Sequence, residues 1–227
     1  MYRPKVVLAL SGGLDSSTLL AQLLHLHLDV IPVVFLYGSK HNQYEIQAAI
    51  QIAAFYSKMA ITIDVLSLFR LLKSDLLLSG GEIPEGHYEA ASMKQTVVPS
   101  RNLIFASILT GYAQSVEADC IALGVHQGDH AIYPDCRPSF IESLTETVDR
   151  STEGKVSVLA PFLHYTKAAI VKIGLKLEVP YGITRTCYKQ QTVACGRCGS
   201  CIERLEAFAL NGAQDPLCYE EPPHGES

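Results

Sequence analysis

The chain has no excess of basic residues. Its 18 lysines and arginines face 23 aspartates and glutamates, giving a formal net charge of −5. A protein that grips tRNA or DNA needs a positive face to displace counterions, so no nucleic-acid partner is expected. No apolar stretch reaches the roughly 18 residues that span a bilayer, and the first residues read as a strand rather than a leader peptide. No membrane partner is therefore expected, and the expected location is cytoplasmic. Internal repeats and a second full domain are also missing. The first glycine turn lacks the Gly-Lys-Ser/Thr of a Walker loop, and it is not G-x-G-x-x-G.

What is present is apolar and periodic. Of 227 residues, 48% are hydrophobic, enough for one α/β domain with a core and a small appendage. Strands are predicted at 5–10, 30–36, 60–66, 119–125 and 156–159. Helices are predicted at 16–28, 42–57, 102–117, 139–150, 166–177 and 200–210. Strands apolar on both faces that alternate with helices imply an α/β, Rossmann-like, parallel five-stranded sheet covered on each side. Ligands of such sheets lie beyond the carboxyl ends of the strands. The expected organisation is a nucleotide-binding domain over 1–180, a cysteine segment over 181–212 and a flexible tail over 213–227. The polar, glycine-rich stretch 79–100 reads either as a flap over the site or as a solvated linker.

Residues 10–18 read L-S-G-G-L-D-S-S-T directly after the first predicted strand. Gly12 and Gly13 permit close backbone approach and positive φ. Ser16, Ser17 and Thr18 then open a helix whose free N–H groups favour an anion. The turn is similar to the PP-loop, S-G-G-x-D-S, of the ATP pyrophosphatases, which cut ATP between its α and β phosphates. Tyr37-Gly38 and Gly124 end two further strands on the same side.

Four of the seven cysteines are crowded together as C-x7-C-x2-C-x2-C: Cys187, Cys195, Cys198 and Cys201. Thiolates at that spacing, with Gly196 and Gly199 in the turns, suit a closed tetrahedral zinc site of structural character. An iron–sulfur cluster is the rival. Cys120 reads as a strand residue and Cys218 as tail.

Further segments narrow the PP-loop assignment. They are Tyr37-Gly38 with His41, V-P-S-R-N at 98–102, Y-P-D-C-R-P at 133–138, H-Y-T-K at 164–167 and the cysteine cluster. In this order they resemble the QueC family, the 7-cyano-7-deazaguanine synthases of queuosine precursor formation, from residue 5 to about 210. The resemblance implies an adenine-nucleotide α-hydrolase-like fold. It also implies an ATP- and Mg²⁺-dependent ligase that converts 7-carboxy-7-deazaguanine and ammonia to the nitrile, often as a homodimer.

On that resemblance Leu10, Ser11, Gly12, Gly13, Leu14, Asp15, Ser16, Ser17, Thr18 and Tyr37 would hold the nucleotide. Arg101 and Lys167 would clamp phosphate, with Asp15 ordering the loop or Mg²⁺. Gly124, Asp129, Tyr133, Asp135 and Arg137 would line the deazaguanine site, with Asp135 accepting from its N–H groups and Arg137 facing its carboxylate. Cys136 packs behind the loop instead of acting as a nucleophile. The bland readings are an internal turn salt bridge for Asp135 and Arg137 and a solvated lysine for Lys167.

Asp129 and Tyr133 keep the family register, but the chain departs from the pattern at His130-Ala131-Ile132 and at Ser39, where glutamine is usual. His126 and His130 with one nearby acid are a weak metal set. These departures keep open a QueC-like ligase that stops at the amide or uses another amine. A tRNA-modifying enzyme and a nucleotide-binding module without catalysis are the remaining alternatives.

Overall fold

The computed structural model describes residues 3–84 and 91–220. Five parallel strands make one sheet: β1 (Lys5–Ala9), β2 (Asp29–Leu36), β3 (Ile61–Asp64), β4 (Cys120–Ala122) and β5 (Ser157–Leu159), in the spatial order β3-β2-β1-β4-β5. Register runs Val7 to Ile31 on one side of β1 and Val7 to Ile121 on the other. The chain reverses its winding direction between β1 and β4, which opens a crevice at their carboxyl ends.

Helices α1 (Leu14–His25), α2 (Asn42–Phe55), α6 (Lys167–Lys176) and α7 (Gly199–Ala209) bear on one core. Leu8, Leu19, Leu20, Ile52, Phe162, Ile170 and Phe208 are sealed there from water. On the other face α4 (Arg101–Ser115) and α5 (Pro138–Ser151) set Leu109 and Leu144 in one core with Val7, Val33 and Ile121 of the sheet. A one-turn helix α3 (Leu66–Phe69) seats Phe69 in the same layer. No helix of the described residues is long and apolar enough to cross a membrane.

The predicted elements stand, with ends displaced in either direction: β4 is cut to Cys120–Ala122, while α5 runs from Pro138 to Ser151. Part of the stretch 79–100 is built into the fold. Residues 85–90 of it, with Gly86, lie outside the described residues. Ala91–Thr96 forms a 3₁₀ turn that buries Met93 and Thr96, and the Asp75 amide donates to the Gln95 carbonyl at 2.9 Å.

The tail also differs from expectation over 213–220. Asp215 is buried and takes both an Nε–H (2.7 Å) and an Nη2–H (2.8 Å) from Arg204, while the Tyr219 hydroxyl donates to it at 2.5 Å. A charge pair inside a core is not a property that local composition reveals. Residues 221–227 lie outside the described residues.

Candidate active site

The crevice over β1, β2 and β4 opens into a cavity of about 210 Å³. Its floor is Leu10, Ser11, Gly13, Leu14, Asp15 and Ser16 from the first βα turn, with Gly124 opposite. The Ser11 and Ser16 hydroxyls lie 3.0 Å apart, and the Gly13 amide donates to Ser11 Oγ at 3.2 Å. Gly124 packs directly against this turn, where a Cβ would come to 3.4 Å from Ser16 N. Residues in the first turns of α1, α4, α6 and α7 (Leu14, Arg101, Lys167 and Ser200) all reach the cavity. An uncapped terminus favours an anion by about 0.3–1 kcal/mol; α1 and α7 carry no side-chain cap, whereas Asp135 takes the second amide of α4 and Thr166 caps α6.

Gly12, Ser17 and Thr18 do not line the cavity. Gly12 has φ +74° and lies so close to α2 that a Cβ would meet Ala49 N at 2.4 Å; this glycine serves packing. Thr18 Oγ1 donates to the Leu14 carbonyl at 2.8 Å and pairs with the Tyr181 hydroxyl at 2.7 Å. Ser17 is wholly buried. Ser17 and Thr18, expected at the nucleotide, are instead turned by the helix into the core.

One end of the cavity is a polar cluster. Lys167 Nζ lies 2.7 Å from Glu203 Oε2 and 3.4 Å from Asp15 Oδ2. Burial works against its charge, but Asp15, Glu203 and Asp129 outweigh it and hold the ammonium above its ordinary pKa. The alternative of a solvated lysine is excluded, since the side chain is only 7% exposed. His126 accepts the Gly128 amide at Nδ1 (3.0 Å), leaving Nε2 to face Asp129 at 3.6 Å and Asp15 at 3.8 Å. The ring thus borders both carboxylates. His130 points elsewhere and does not line the cavity.

The other end is aromatic. Phe35 and Phe105 stack at 3.9 Å between centroids, and Tyr37, Tyr133 and Tyr188 complete the wall. Among them sits Glu45, which accepts from Ser39 Oγ at 3.1 Å and lies 3.3 Å from His41 Nε2. Burial pushes this carboxyl up, but His41, Arg101 and Ser39 outweigh it and hold the pKa below its usual value. Arg101 Nη1 donates to the Tyr37 hydroxyl at 3.4 Å. Burial raises the Cys136 thiol well above its ordinary range, so it lines the cavity as a neutral group that accepts from Asn102 Nδ2 at 3.0 Å.

Asp135 and Arg137 stand outside this lining. The Asp135 carboxylate accepts the Asn102 amide at 2.8 Å. Arg137 is exposed and donates from Nε to the His130 carbonyl at 2.9 Å. Neither forms the turn salt bridge with the other. Conversely, Glu45, Phe105, Arg185, Thr186 and Tyr188 line the cavity although the sequence reading assigned them nothing. Glu45 lies four residues after His41 and so shares its helix face, the signal that could have found it.

The cysteine segment forms a cavity wall as well as a metal-type knuckle. The four sulfurs lie within 4.8 Å of one another and are buried. Pairs stand at 3.5 and 4.0 Å, which brackets the roughly 3.8 Å edge of a tetrahedron with a metal–sulfur distance of about 2.3 Å. Gly196 takes φ +68°, so the Arg197 and Cys198 amides both donate to Cys195 Sγ (3.4 and 3.2 Å) and favour a thiolate. This set can hold a single metal ion. The Arg185 amide donates to the Gly12 carbonyl at 2.8 Å, which ties the segment to the first turn.

The model of the family described as queuosine biosynthesis protein QueC matches residues 5–212. A protein of Hahella chejuensis named 7-cyano-7-deazaguanine synthase is 45% identical over 95% of this chain and 93% of its own. One of the same name from Marinobacter nauticus is 45% identical over 95% and 97%. Among solved structures, the U34-tRNA thiolase NcsA of Methanococcus maripaludis, described with its [4Fe-4S] cluster, superposes with a TM-score of 0.52. It is 16% identical, covering 93% of this chain and 66% of that one. The NMN synthetase of Francisella tularensis gives a TM-score of 0.50 at 14% identity, over 93% and 78%. These two likenesses concern the fold alone. With a family match from the first strand to the end of the cysteine segment, the chain belongs to the QueC family.

Proposed function

We propose that this chain is an ATP-dependent ligase that converts 7-carboxy-7-deazaguanine and ammonia to 7-cyano-7-deazaguanine. The observation that carries the reading is the two-ended cavity. One end sets the uncapped α1 N-terminus and Lys167 about Ser11, Gly13 and Ser16. The other offers aromatic walls and the ionised Glu45. The first end suits a triphosphate and the second a flat, purine-like ring.

A carboxylate is a poor electrophile until an oxygen becomes a leaving group. Transfer of AMP to the acid, with loss of pyrophosphate, supplies one; ammonia then displaces AMP to give the amide. A second activation of the amide oxygen and loss of AMP leave the nitrile. Lys167 and the α1 amides hold the departing pyrophosphate oxygens. Arg101, which donates to Tyr37 at the ring end, holds the acyl phosphate. Asp15 orients Lys167 and supplies a ligand for the Mg²⁺ that neutralises phosphate charge. Asp129 and Tyr133, beside Gly124, border the reacting group. Glu45, with a free lone pair on each oxygen, accepts the adjacent N–H groups of the guanine-type edge, where adenine would present a repelling nitrogen lone pair.

The four-cysteine site takes one structural zinc ion, because four thiolates at this spacing leave no open position. The sulfur spacing favours a single ion over an iron–sulfur cluster. The enzyme is a cytoplasmic homodimer acting on small molecules, without a nucleic-acid partner.

The test is incubation with 7-carboxy-7-deazaguanine, MgATP and ammonium, followed by mass spectrometry and nucleotide counting. The expected outcome is the nitrile with two ATP cleaved to AMP per product. Accumulation of the amide with one ATP cleaved would favour the amide ligase, which the names of the relatives do not. No product and no cleavage would overturn both.

A further inference from the structure

Helix α4 begins without a cap of its own. Ser100, the residue before it, is left-handed (φ 52°, ψ 29°), and its side chain makes no capping bond. An N-cap side chain normally accepts the second or third amide of the helix. Here that bond comes from 33 residues away: Asp135 Oδ2 accepts the amide of Asn102, the second helical residue, at 2.8 Å. Two further bonds fix the same junction. Asn102 Nδ2 donates to the Asp135 carbonyl at 3.2 Å and to Cys136 Sγ at 3.0 Å. The residue next to this clasp is Arg101, the α4 cation that reaches the cavity and donates to Tyr37. Asp135 itself does not line the cavity.

We infer that Asp135 is a positioning residue that caps α4 in trans and thereby aims the Arg101 guanidinium, without touching substrate. This rests on the reaction proposed above for its kinetic readout but not for its structural one. The clasp also accounts for Cys136: its thiol serves as a soft acceptor for Asn102 Nδ2, and no covalent step is needed.

A substrate-binding Asp135 would need its negative charge or its full acceptor set. A capping Asp135 needs only one oxygen, which asparagine supplies equally well. Asp135→Asn and Asp135→Ala should therefore separate. Hydrogen exchange at the Asn102 amide should remain slow in Asp135→Asn and accelerate at least tenfold in Asp135→Ala, with or without turnover. In steady-state assays Asp135→Asn should keep kcat/KM within about threefold of the parent. Asp135→Ala should lose kcat tenfold or more with a small change in KM for the acid. Adding Asp135→Ala to Arg101→Ala should cost less than threefold more, because both act on one group. Equal damage from Asn and Ala with a raised KM for the acid would overturn the inference, as would fully additive losses or unchanged Asn102 exchange in Asp135→Ala. If the parent makes no nitrile, the reaction is refuted while the exchange data still decide the cap.

Discussion

Lys167 Nζ meets Glu203 Oε2 at 2.7 Å across the α6–α7 contact, with Asp15 3.4 Å away on the opposite side. The ammonium therefore stands between a carboxylate of the cysteine segment and one of the first βα turn. Lys167→Met should lower kcat about 10²-fold or more, as removal of a preorganised charge-stabilising donor does. It also leaves Asp15 and Glu203 facing a common gap, so a melting scan should show a loss of stability. Because the folded pKa is raised, the stabilisation is complete below the unfolded value and is lost only as pH rises through the folded one. A pH–rate profile should then lack an alkaline limb from Lys167 below about pH 10.

The metal prediction is direct. Elemental analysis should find one zinc per chain, without the visible absorption of an iron–sulfur cluster. Chelation or Cys195→Ser should release it and lower the melting temperature, since structural zinc contributes on the order of 10 kcal/mol to local folding. ATP affinity should fall with it, because Arg185, Thr186 and Tyr188 wall the cavity.

Arg204 is fully buried and binds Asp215 through two bonds while donating to Thr184 and Thr186. Breaking a buried pair on one side costs about 3–5 kcal/mol, so urea unfolding of Arg204→Ala should show a loss of that size. Burial raises the Asp215 carboxyl, but Arg204 and Tyr219 outweigh it and depress its pKa. Its contribution is thus present above the unfolded pKa and lost as pH falls through the folded one. Acid unfolding near pH 4 and below should be less steep in Arg204→Ala than in the parent.

Glu45→Gln retains shape and loses charge. The KM for 7-carboxy-7-deazaguanine should rise about 10- to 100-fold, the worth of a charged hydrogen bond, with the KM for ATP unchanged. An unchanged KM for the acid would remove Glu45 from base recognition.

Most of the layering is legible in the residues because it follows apolar period. The predicted strand at 30–36 and helix at 42–57 match Asp29–Leu36 and Asn42–Phe55 within two residues. The predicted strand at 60–66 overran, since its last residues turn into the single-turn helix that buries Phe69. Within the site, Ser11, Asp15, Arg101 and Lys167 come together as their motifs imply. Thr18 and Asp135 do not reach the cavity, and for one reason. Each spends its oxygen on a partner distant in sequence, Tyr181 and Asn102, and sequence spacing carries no trace of such pairings. Arg204 with Asp215, and Met93 under its turn, were hidden in the same way.

The tie from the Arg185 amide to the Gly12 carbonyl makes two loading events thermodynamically reciprocal. If filling the cysteine knuckle tightens nucleotide, then nucleotide must tighten binding of the ion by an equal free energy. Nucleotide-loaded protein should then yield less of that ion to a chelator at equilibrium than nucleotide-free protein does.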